Sequence, residues 1–556
     1  MATDVPVPVL LVLLAAPEAF LLKYLVAEPN ITTAIPVLLA FNCSVWIFWL
    51  VIVYPVFFSP LRHLPEPKSG YPHYARWLVL TDKFVATEYL RWIKEVPNNG
   101  LIRYRGLFNA ETLIPTDPQA YADILVHSPY DFAKPEKLRT FLRRFIGDGL
   151  INTEGEEHKF QRKVITPSFS FRQIKELYPT FWSKSVELTQ RIAAELPDCP
   201  EYDAKTGEGI VDISHWSTKV TLDIIGLAGL GRAFNSLHNH DDPLVALYDE
   251  ILEPTTEKRI LCLLYLYFPD RLLRLVPWEA NRRLNLNTER LREASLKLMQ
   301  EKKQKFTPDG EEQNDILSGL LRTNMFNEKT LIDQLLTILA AGHESTATTF
   351  TWACYLLALH PTEQSRLRAE LRAADLPPTL SASPSTTTTT TTTLDATLEA
   401  LPYLNAVCNE VSRLYPAVPI VARTAVRDTQ VAGTHVPAGT MLNLVPWAVN
   451  RNPALWGADA GDFVPERWLE QTDDGRLRAN NHGGAAGGNY AQMTFFHGPR
   501  SCVGQRFSMA ELRCLVAAFT GRFEWVLGMP EEDVVPGGFV TVKPKGGMRL
   551  KVKMAA

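Results

Sequence analysis

One long uncharged run stands out against a chain otherwise written in helical periods. From Ala34 to Phe58 there are 25 residues without a charged side chain, somewhat more than the roughly 20 that a helix needs to cross a bilayer core. A core helix of that length usually carries a polar stripe. The run, with the aromatic bulk of Trp46, Trp49 and Tyr54, therefore predicts a transmembrane helix over 34–58. It starts late and lacks a small-residue cleavage pattern, so it is expected to stay in the mature protein. Residues 1–33 form an apolar leader. Within it Val5 to Val26 carries Pro17, Glu18 and Lys23, a composition that fits a second span, an interfacial helix or a lumenal leader alike. Arg62, His63 and Lys68 follow the span, which places the bulk of the chain on the cytoplasmic side and the sequon Asn30-Ile31-Thr32 on the lumenal side. Pro60, Pro65 and Pro67 make residues 59–67 a stiff connector.

Residues 68–556 read as mainly helix with a minor β region. Strand-like runs lie near Leu101 to Leu107, Gln430 to Val436, Met441 to Val445 and Val540 to Val552. A long helical pattern covers Asn327 to His360, and another run compatible with helix extends from Gln505 through Phe519. Two stretches interrupt the pattern. Pro377 to Thr393 ends in eight consecutive threonines, and Asn480 to Asn489 is rich in glycine; neither composition buries enough apolar surface to order itself, so both are expected as exposed insertions.

Composition narrows the classes. A net charge of -4 over 556 residues gives no global basic field for nucleic acid. The seven cysteines are scattered and lack paired C-x-x-C spacing, which disfavours a disulfide framework and a structural zinc site and fits a reducing compartment.

One cysteine has informative neighbours. In Phe495-Phe496-His497-Gly498-Pro499-Arg500-Ser501-Cys502-Val503-Gly504 the thiol lies in a glycine-bounded turn ahead of a helix N-terminus, where backbone N–H groups and the dipole favour the thiolate. Gly498 and Gly504 would let the backbone approach a flat macrocycle, and Arg500 supplies a planar donor fork for a carboxylate. This segment resembles the haem loop of the cytochrome P-450 superfamily, F-x-x-G-x-R-x-C-x-G, at Phe495, Gly498, Arg500, Cys502 and Gly504.

The resemblance implies haem b (iron protoporphyrin IX) with Cys502 as the axial ligand of the iron, the thiolate favouring O–O cleavage. It also implies a single large, mainly α catalytic domain of the P-450 fold over 68–556 behind the membrane anchor. Composition and periodicity alone reach only "helix-rich with some strand".

Further segments extend the likeness. Ala340-Ala341-Gly342-His343-Glu344-Ser345-Thr346 sits in the middle of the Asn327 to His360 pattern. Small residues at Ala341 and Gly342 would open space beside a cofactor, and Glu344 and Ser345 offer an acid and an alcohol for relaying protons. Standing alone, such a pair more often bonds locally; the segment resembles the family's distal helix motif A-G-x-[D/E]-T-[T/S], with Ser345 where threonine is usual. That departure keeps the hydroxyl and loses a methyl that helps fix its rotamer. Glu410 and Arg413 fall on one helix face, and with Arg467 of Pro465-Glu466-Arg467-Trp468 the resemblance implies a buried structural charge triad. Gly155 to Arg162 looks like the family's W-x-x-x-R helix start with His158 in place of tryptophan. His158, Arg162 and Arg423 are thereby candidates for the haem propionates.

The family likeness implies a haem-thiolate monooxygenase resembling fungal microsomal members. Electrons would come from NADPH through a separate flavoprotein reductase docking near Lys163 and Arg506, at the endoplasmic reticulum membrane with the catalytic domain facing the cytosol. The substrate is expected to be lipophilic, a terpenoid or polyketide secondary metabolite, with Phe141, Phe145, Leu339, Val418 and Ile420 lining the pocket. Arg139, Arg143 and Arg144 would recognise a carboxylate only if they faced inward. A fatty-acid or hydrocarbon hydroxylase is the second substrate class. A haem-thiolate isomerase or dehydratase, or a non-catalytic haem-binding membrane protein, are readings of another kind; retention of Glu344 and Ser345 speaks against the isomerase.

Overall fold

A computed structural model describes residues 31–68, 86–199, 201–238, 255–268, 270–273, 278–305, 314–374, 393–480, 482–538 and 540–555, with the single positions 18, 84, 247, 250 and 376. The leader up to Asn30 apart from Glu18, and the threonine run up to Thr392, lie outside the described residues.

The uncharged run forms helix α1 (Ile31–Phe48) and continues as a π-helical stretch, Trp49–Phe58. Ile35–Phe58 is a 24-residue helix long and apolar enough to cross a membrane. Apolar side chains such as Val37, Phe41, Ile47 and Phe58 are exposed along it, an arrangement that suits lipid better than water. The wider register has a local cause: Pro55 lies inside the stretch and has no N–H for the carbonyl four residues back.

The connector is no free spacer. Ser59 and Leu61 are buried, Ser59 Oγ donates to Glu111 Oε2 at 2.7 Å, and the Arg103 N–H donates to the Pro65 carbonyl at 3.0 Å. Glu66 pairs with Arg103 and Arg105. The prolines set the path of the backbone, and these bonds fasten it to a hairpin of the body.

That hairpin is β1 (Leu101–Arg105) and β2 (Glu111–Pro115). The other strands are β3 (Phe132–Ala133), β4 (Gly209–Asp212), β5 (Val421–Ala425), β6 (Thr429–Val431), β7 (Thr434–Val436), β8 (Met441–Leu444), β9 (Leu469–Gln471), β10 (Leu477–Ala479), β11 (Phe523–Leu527), β12 (Pro536–Gly537), β13 (Lys543–Pro544) and β14 (Arg549–Met554). The largest sheet has the order β1-β2-β8-β5-β3 and is antiparallel except between β2 and β8. β11-β14-β4 forms a second sheet. The strand expected over Val540 to Val552 is two strands, because Gly546 and Gly547 adopt φ of 74° and 86° and turn the chain between β13 and β14.

Helices dominate the rest: α2 (Glu136–Ile146), α3 (Gly155–Ile165), α4 (Phe171–Glu195), α5 (Ile213–Ile224), α6 (Glu328–Gly342), α7 (Glu344–Leu359), α8 (Pro402–Leu414) and α9 (Gln505–Arg522). Ser170, Asp212 and Asn327 cap α4, α5 and α6 with side-chain oxygens that accept first-turn N–H groups. The core gathers on α9, where Phe507 packs edge-on against Phe181 of α4 with ring centres 4.9 Å apart and Phe519 against Phe350 of α7 at 5.8 Å. The expected single helix over Asn327 to His360 is divided at His343. The glycine-rich stretch is exposed over Ala486–Asn489 but pinned at its start. Asn480 Oδ1 accepts the Gly483 N–H at 2.7 Å, and a Cβ on Gly483 would lie 3.0 Å from the Trp456 indole.

Charge is fully paired at the end of α8. Arg413 is fully buried and its guanidinium donates to Glu410 Oε2 and Oε1 at 2.7 and 2.8 Å. Its other donors go to the carbonyls of Asn450, Ala460 and Asp462 at 2.6, 2.7 and 3.1 Å. Glu410 accepts in addition from the Val464 N–H, Arg467 Nε and Trp468 Nε1 at 3.0, 2.9 and 2.9 Å. Burial alone would push the Glu410 carboxyl up, but the hydrogen bonds and charge of Arg413, with the charge of Arg467, hold it below the usual range. One ion cluster thus joins α8 to the Pro465–Trp468 turn. Glu410→Ala strands a buried guanidinium and is expected to cost about 3–5 kcal/mol. Chemical denaturation of the full chain measures it; an unchanged midpoint would show that the cluster does not hold the fold.

Candidate functional site

The cysteine loop is shaped by its backbone. The Cys502 N–H donates to the Phe495 carbonyl at 2.8 Å and closes the loop; Phe496 sits at φ 56° and Gly498 at φ 71°. A Cβ on Gly498 would lie 2.1 Å from the Leu125 carbonyl oxygen. Gly498 is therefore demanded by a neighbouring protein backbone, in the π turn Asp123–His127, whereas the sequence suggested a flat ligand. Gly504 has an ordinary φ of -87°, and a Cβ there would lie 3.9 Å from Cys502 Sγ.

Cys502 is exposed, yet burial pushes its thiol up, against the lowering influence of the Gly504 N–H and Arg162. The expectation that the loop alone favours the thiolate is corrected: desolvation outweighs the helix terminus, so ionisation needs a bound cation. Arg162 donates to the Ser501 carbonyl and contacts Ser501 Oγ at 3.4 Å, bracing the residue before the cysteine.

Beside the loop, cations outnumber anions. Arg500 is buried and touches Glu154, but Nε, Nη1 and Nη2 have no hydrogen bond of good geometry. Its guanidinium lies over the Tyr130 ring, 4.8 Å from the centre. Arg423 is buried, its guanidinium lowered to about 10 by burial and by Arg500. Lys134 is lowered to about 8, chiefly by burial, although Glu154 Oε1 lies 3.2 Å from Nζ. His158 is lowered to about 4 by burial and by Lys134 and Arg500, and is neutral, with Nδ1 3.2 Å from Tyr130 OH. Three cations thus face the single carboxylate Glu154, itself held at about 2, where Arg500 and Lys134 overcome the upward push of burial.

Orphaned buried donors and surplus positive charge next to a solitary thiol suit a dianionic metal macrocycle. Arg500, Arg423 and His158 come together here as the sequence-based set, while Arg162 serves the loop. Lys134, Glu154 and Tyr130 were missed. Glu154 lies one residue ahead of the Gly155 helix start, and Lys134 one residue before Pro135.

The divided helix supplies the distal candidates. Ala341 is exposed. Gly342 opens no space, since a Cβ there would lie 2.5 Å from Ile225 Cδ1; its smallness admits Ile225. His343 Nδ1 lies 2.8 Å from the Leu339 carbonyl at the break. Ser345 Oγ donates to the Ala341 carbonyl at 2.7 Å, and the Glu344 carboxylate pairs with Lys543 of β13. Behind them Thr346 Oγ1 lies 3.1 Å from Ser508 Oγ on α9. Glu511, one turn on, is fully buried with neither carboxylate oxygen in a well-formed hydrogen bond; burial pushes it well up, only partly offset by Thr346.

Phe141 is buried between Phe145 and Tyr265, with ring centres 5.3 and 5.5 Å away, and Leu339 is buried on α6. Val418 and Ile420 are half-buried. The three arginines of α2 are engaged elsewhere. Arg139 Nε donates to the Asn152 carbonyl at 2.8 Å, Arg143 pairs with Asp148 at 2.7 Å, and Arg144 donates to Asn281 Oδ1 at 2.7 Å. Lys163 is exposed, and Arg506 lies 5.8 Å from the Phe171 ring centre.

A mainly helical body with a cysteine loop feeding a helix N-terminus beside surplus positive charge suits a haem-binding oxidoreductase. A family model described as Cytochrome P450 matches residues 100–551. Similar proteins include cytochrome P450 monooxygenase sphH of Aspergillus fumigatus, 40% identical over 511 residues covering 91% of this chain and 90% of the relative. Cytochrome P450 monooxygenase ALT8 of Alternaria alternata is 36% identical, covering 92% and 93%. FUM15 of Gibberella moniliformis is 36% identical, covering 91% of each. The chain belongs to the cytochrome P450 family; it is a monooxygenase with haem as its cofactor.

Glu511 yields a pH prediction. With its acidity weakened in the fold, the folded chain keeps a proton that the unfolded chain releases above the usual carboxylate range. Stability is full below that range and falls as pH rises, by up to about 1.4 kcal/mol per pH unit. Glu511→Gln is expected to gain on the parent in thermal melts from about pH 5 to about pH 8. A constant offset across that window would exclude a proton-binding Glu511.

Proposed function

We propose that this chain holds haem b through Cys502, with Arg500, Arg423 and His158 around the propionates and Arg162 bracing the loop, and oxidises a lipophilic secondary metabolite of the terpenoid or polyketide kind. The observation that carries the reading is the buried Arg500 guanidinium, without a well-formed hydrogen bond, amid surplus positive charge beside the exposed Cys502. When bound, the haem supplies the iron at which dioxygen is activated. Ser345 already spends its proton on the Ala341 carbonyl, so its lone pairs remain to accept a donor. Glu344 is held as a carboxylate by the partly exposed Lys543; it links that region toward solvent and takes a proton from that ammonium or from water before passing one toward the Ser345 hydroxyl. Electrons come from NADPH through a separate flavoprotein reductase on the face of Lys163 and Arg506. The apolar helix sets the enzyme at the endoplasmic reticulum membrane with its catalytic domain in the cytosol.

The engagement of Arg139, Arg143 and Arg144 with their own neighbours favours a neutral substrate over a fatty acid. The relatives, P450 monooxygenases from fungi, favour oxygen insertion over isomerisation. The reduced carbon monoxide difference spectrum of membranes carrying the chain is expected to show the long-wavelength Soret band of thiolate ligation, and Cys502→His to abolish it. An unchanged spectrum in the variant would rule out the ligand. Ser345→Ala is expected to keep consuming oxygen with added reductase and NADPH while product falls relative to peroxide; equal coupling would remove Ser345 from the relay. Comparison of metabolites with and without the chain identifies the substrate.

A further inference from the structure

Glu154 is placed where a carboxylate has two reasons not to be. It stands at the N-cap of α3, yet its side chain accepts no first-turn N–H of that helix, forgoing the bond that acids usually make there. It is also largely enclosed, with 11% of its side chain exposed. The carboxylate turns instead to Lys134, whose backbone N–H donates to Oε1 at 2.9 Å and whose Nζ lies 3.2 Å from the same oxygen. Oε2 touches Arg500 without a hydrogen bond of good geometry on either side, so the Arg500 fork stays free for another acceptor. Burial pushes the Glu154 carboxyl up, but Arg500 and Lys134 overcome it and hold it at about 2. It is therefore an anion at neutral pH.

The charges can be counted. Arg500, Arg423 and Lys134 bear on one another and on Glu154, and three positive charges with one negative leave two positive. Lys134, lowered to about 8, keeps its proton at neutral pH, whereas His158, at about 4, adds no charge. A haem brings two propionates, whose negative charges match that remainder. Without Glu154 the remainder would be three, and a pair of propionates would leave one cation unpaired. An iron porphyrin with a thiolate ligand gains one negative charge on reduction. Surplus positive charge beside it favours the reduced form, and a fixed anion opposes it.

We infer that Glu154 sets the charge of the cofactor site: by offsetting one of three cations it fits the site to two propionates, and it holds the reduction potential of the iron below the value that the cations alone would give. This rests on the proposed seating of haem between Cys502 and Arg500. The cations hold the cofactor, and Glu154 weakens that hold while it makes the incoming electron harder to accept.

Three variants of the full-length holoprotein test it. Glu154→Gln keeps the shape and an oxygen for the Lys134 N–H while removing the charge, Glu154→Asp keeps the charge on a shorter arm, and Lys134→Met removes a cation from the same cluster. The reduced carbon monoxide spectrum establishes thiolate-ligated haem in each, before potentiometric titration and before haem transfer to excess apomyoglobin. Glu154→Gln is expected to raise the ferrous-to-ferric ratio at a given potential about ten-fold, a shift of about 59 mV for one electron, and to slow haem transfer. Glu154→Asp is expected to stay near the parent, and Lys134→Met to shift the other way. A parental potential in Glu154→Gln with its spectrum intact overturns the inference. Loss of haem from that variant does so too, since the carboxylate would then be a support and not an offset. An equal shift in Glu154→Asp assigns the effect to geometry and likewise overturns it. If the parent itself lacks the thiolate band, the seating of haem falls and takes the inference with it, a result distinct from the others.

Discussion

A guanidinium taken out of water needs an anion or a full set of acceptors, and this chain buries two arginines that meet the demand in opposite ways. Arg413 is surrounded by Glu410 and three carbonyls, with every nitrogen bonded. Arg500 has a nearly buried guanidinium with only a poorly aligned contact with Glu154. The first arrangement is complete and explains why α8, the Pro465–Trp468 turn and the segment before it hold one geometry. The second is incomplete by about the charge that two carboxylates bring. Burial lowers Lys134, Arg423 and His158 first, and the repulsion of neighbouring cations adds to it. A protein pays this electrostatic cost where a ligand returns it, and Cys502 opens onto the same region.

The parts legible in the chain were those written in contiguous residues. The helix-rich class, the membrane run and the loop around Cys502 each announce themselves within one short window, and Glu410 and Arg413 share a helix face by spacing alone. The residues that were not legible depend on tertiary approach. Nothing within ten residues of Gly498 mentions Leu125, whose carbonyl makes that glycine necessary, and nothing near Gly342 mentions Ile225. Lys134 and Glu154 join Arg500 across more than 300 residues of chain. The thiol was misjudged because a helix N-terminus is visible in sequence whereas desolvation is a property of the folded surroundings. The connector was legible as stiff from its prolines, but its partners Glu111 and Arg103 belong to a hairpin that only folding brings alongside.

The divided helix shows how one local defect organises the distal side. An unbroken helix would commit each backbone carbonyl to its own ladder. At the break, His343 turns its ring nitrogen to the Leu339 carbonyl and Ser345 its hydroxyl to the Ala341 carbonyl, so side chains share in satisfying the backbone. That binds the serine rotamer by a hydrogen bond in a position where a threonine would add steric restraint through its methyl. The missing methyl is thus offset in part by geometry that the break provides. Glu344, one residue earlier, is drawn to the opposite partner by Lys543, and the acid and the alcohol are held by different elements of the fold.

Those elements are coupled to the membrane end through the sheet. β2 carries Glu111, bonded to Ser59 at the foot of the span, and pairs with β8, which pairs with β5, the strand of Arg423. Three neighbouring strands therefore run from the anchor to the cationic cluster, without a flexible segment between them. Phe141 and Phe145 lie on α2, and the arginines of that helix are engaged with their neighbours. A lipophilic, uncharged substrate, as proposed, fits the prior commitment of every α2 arginine.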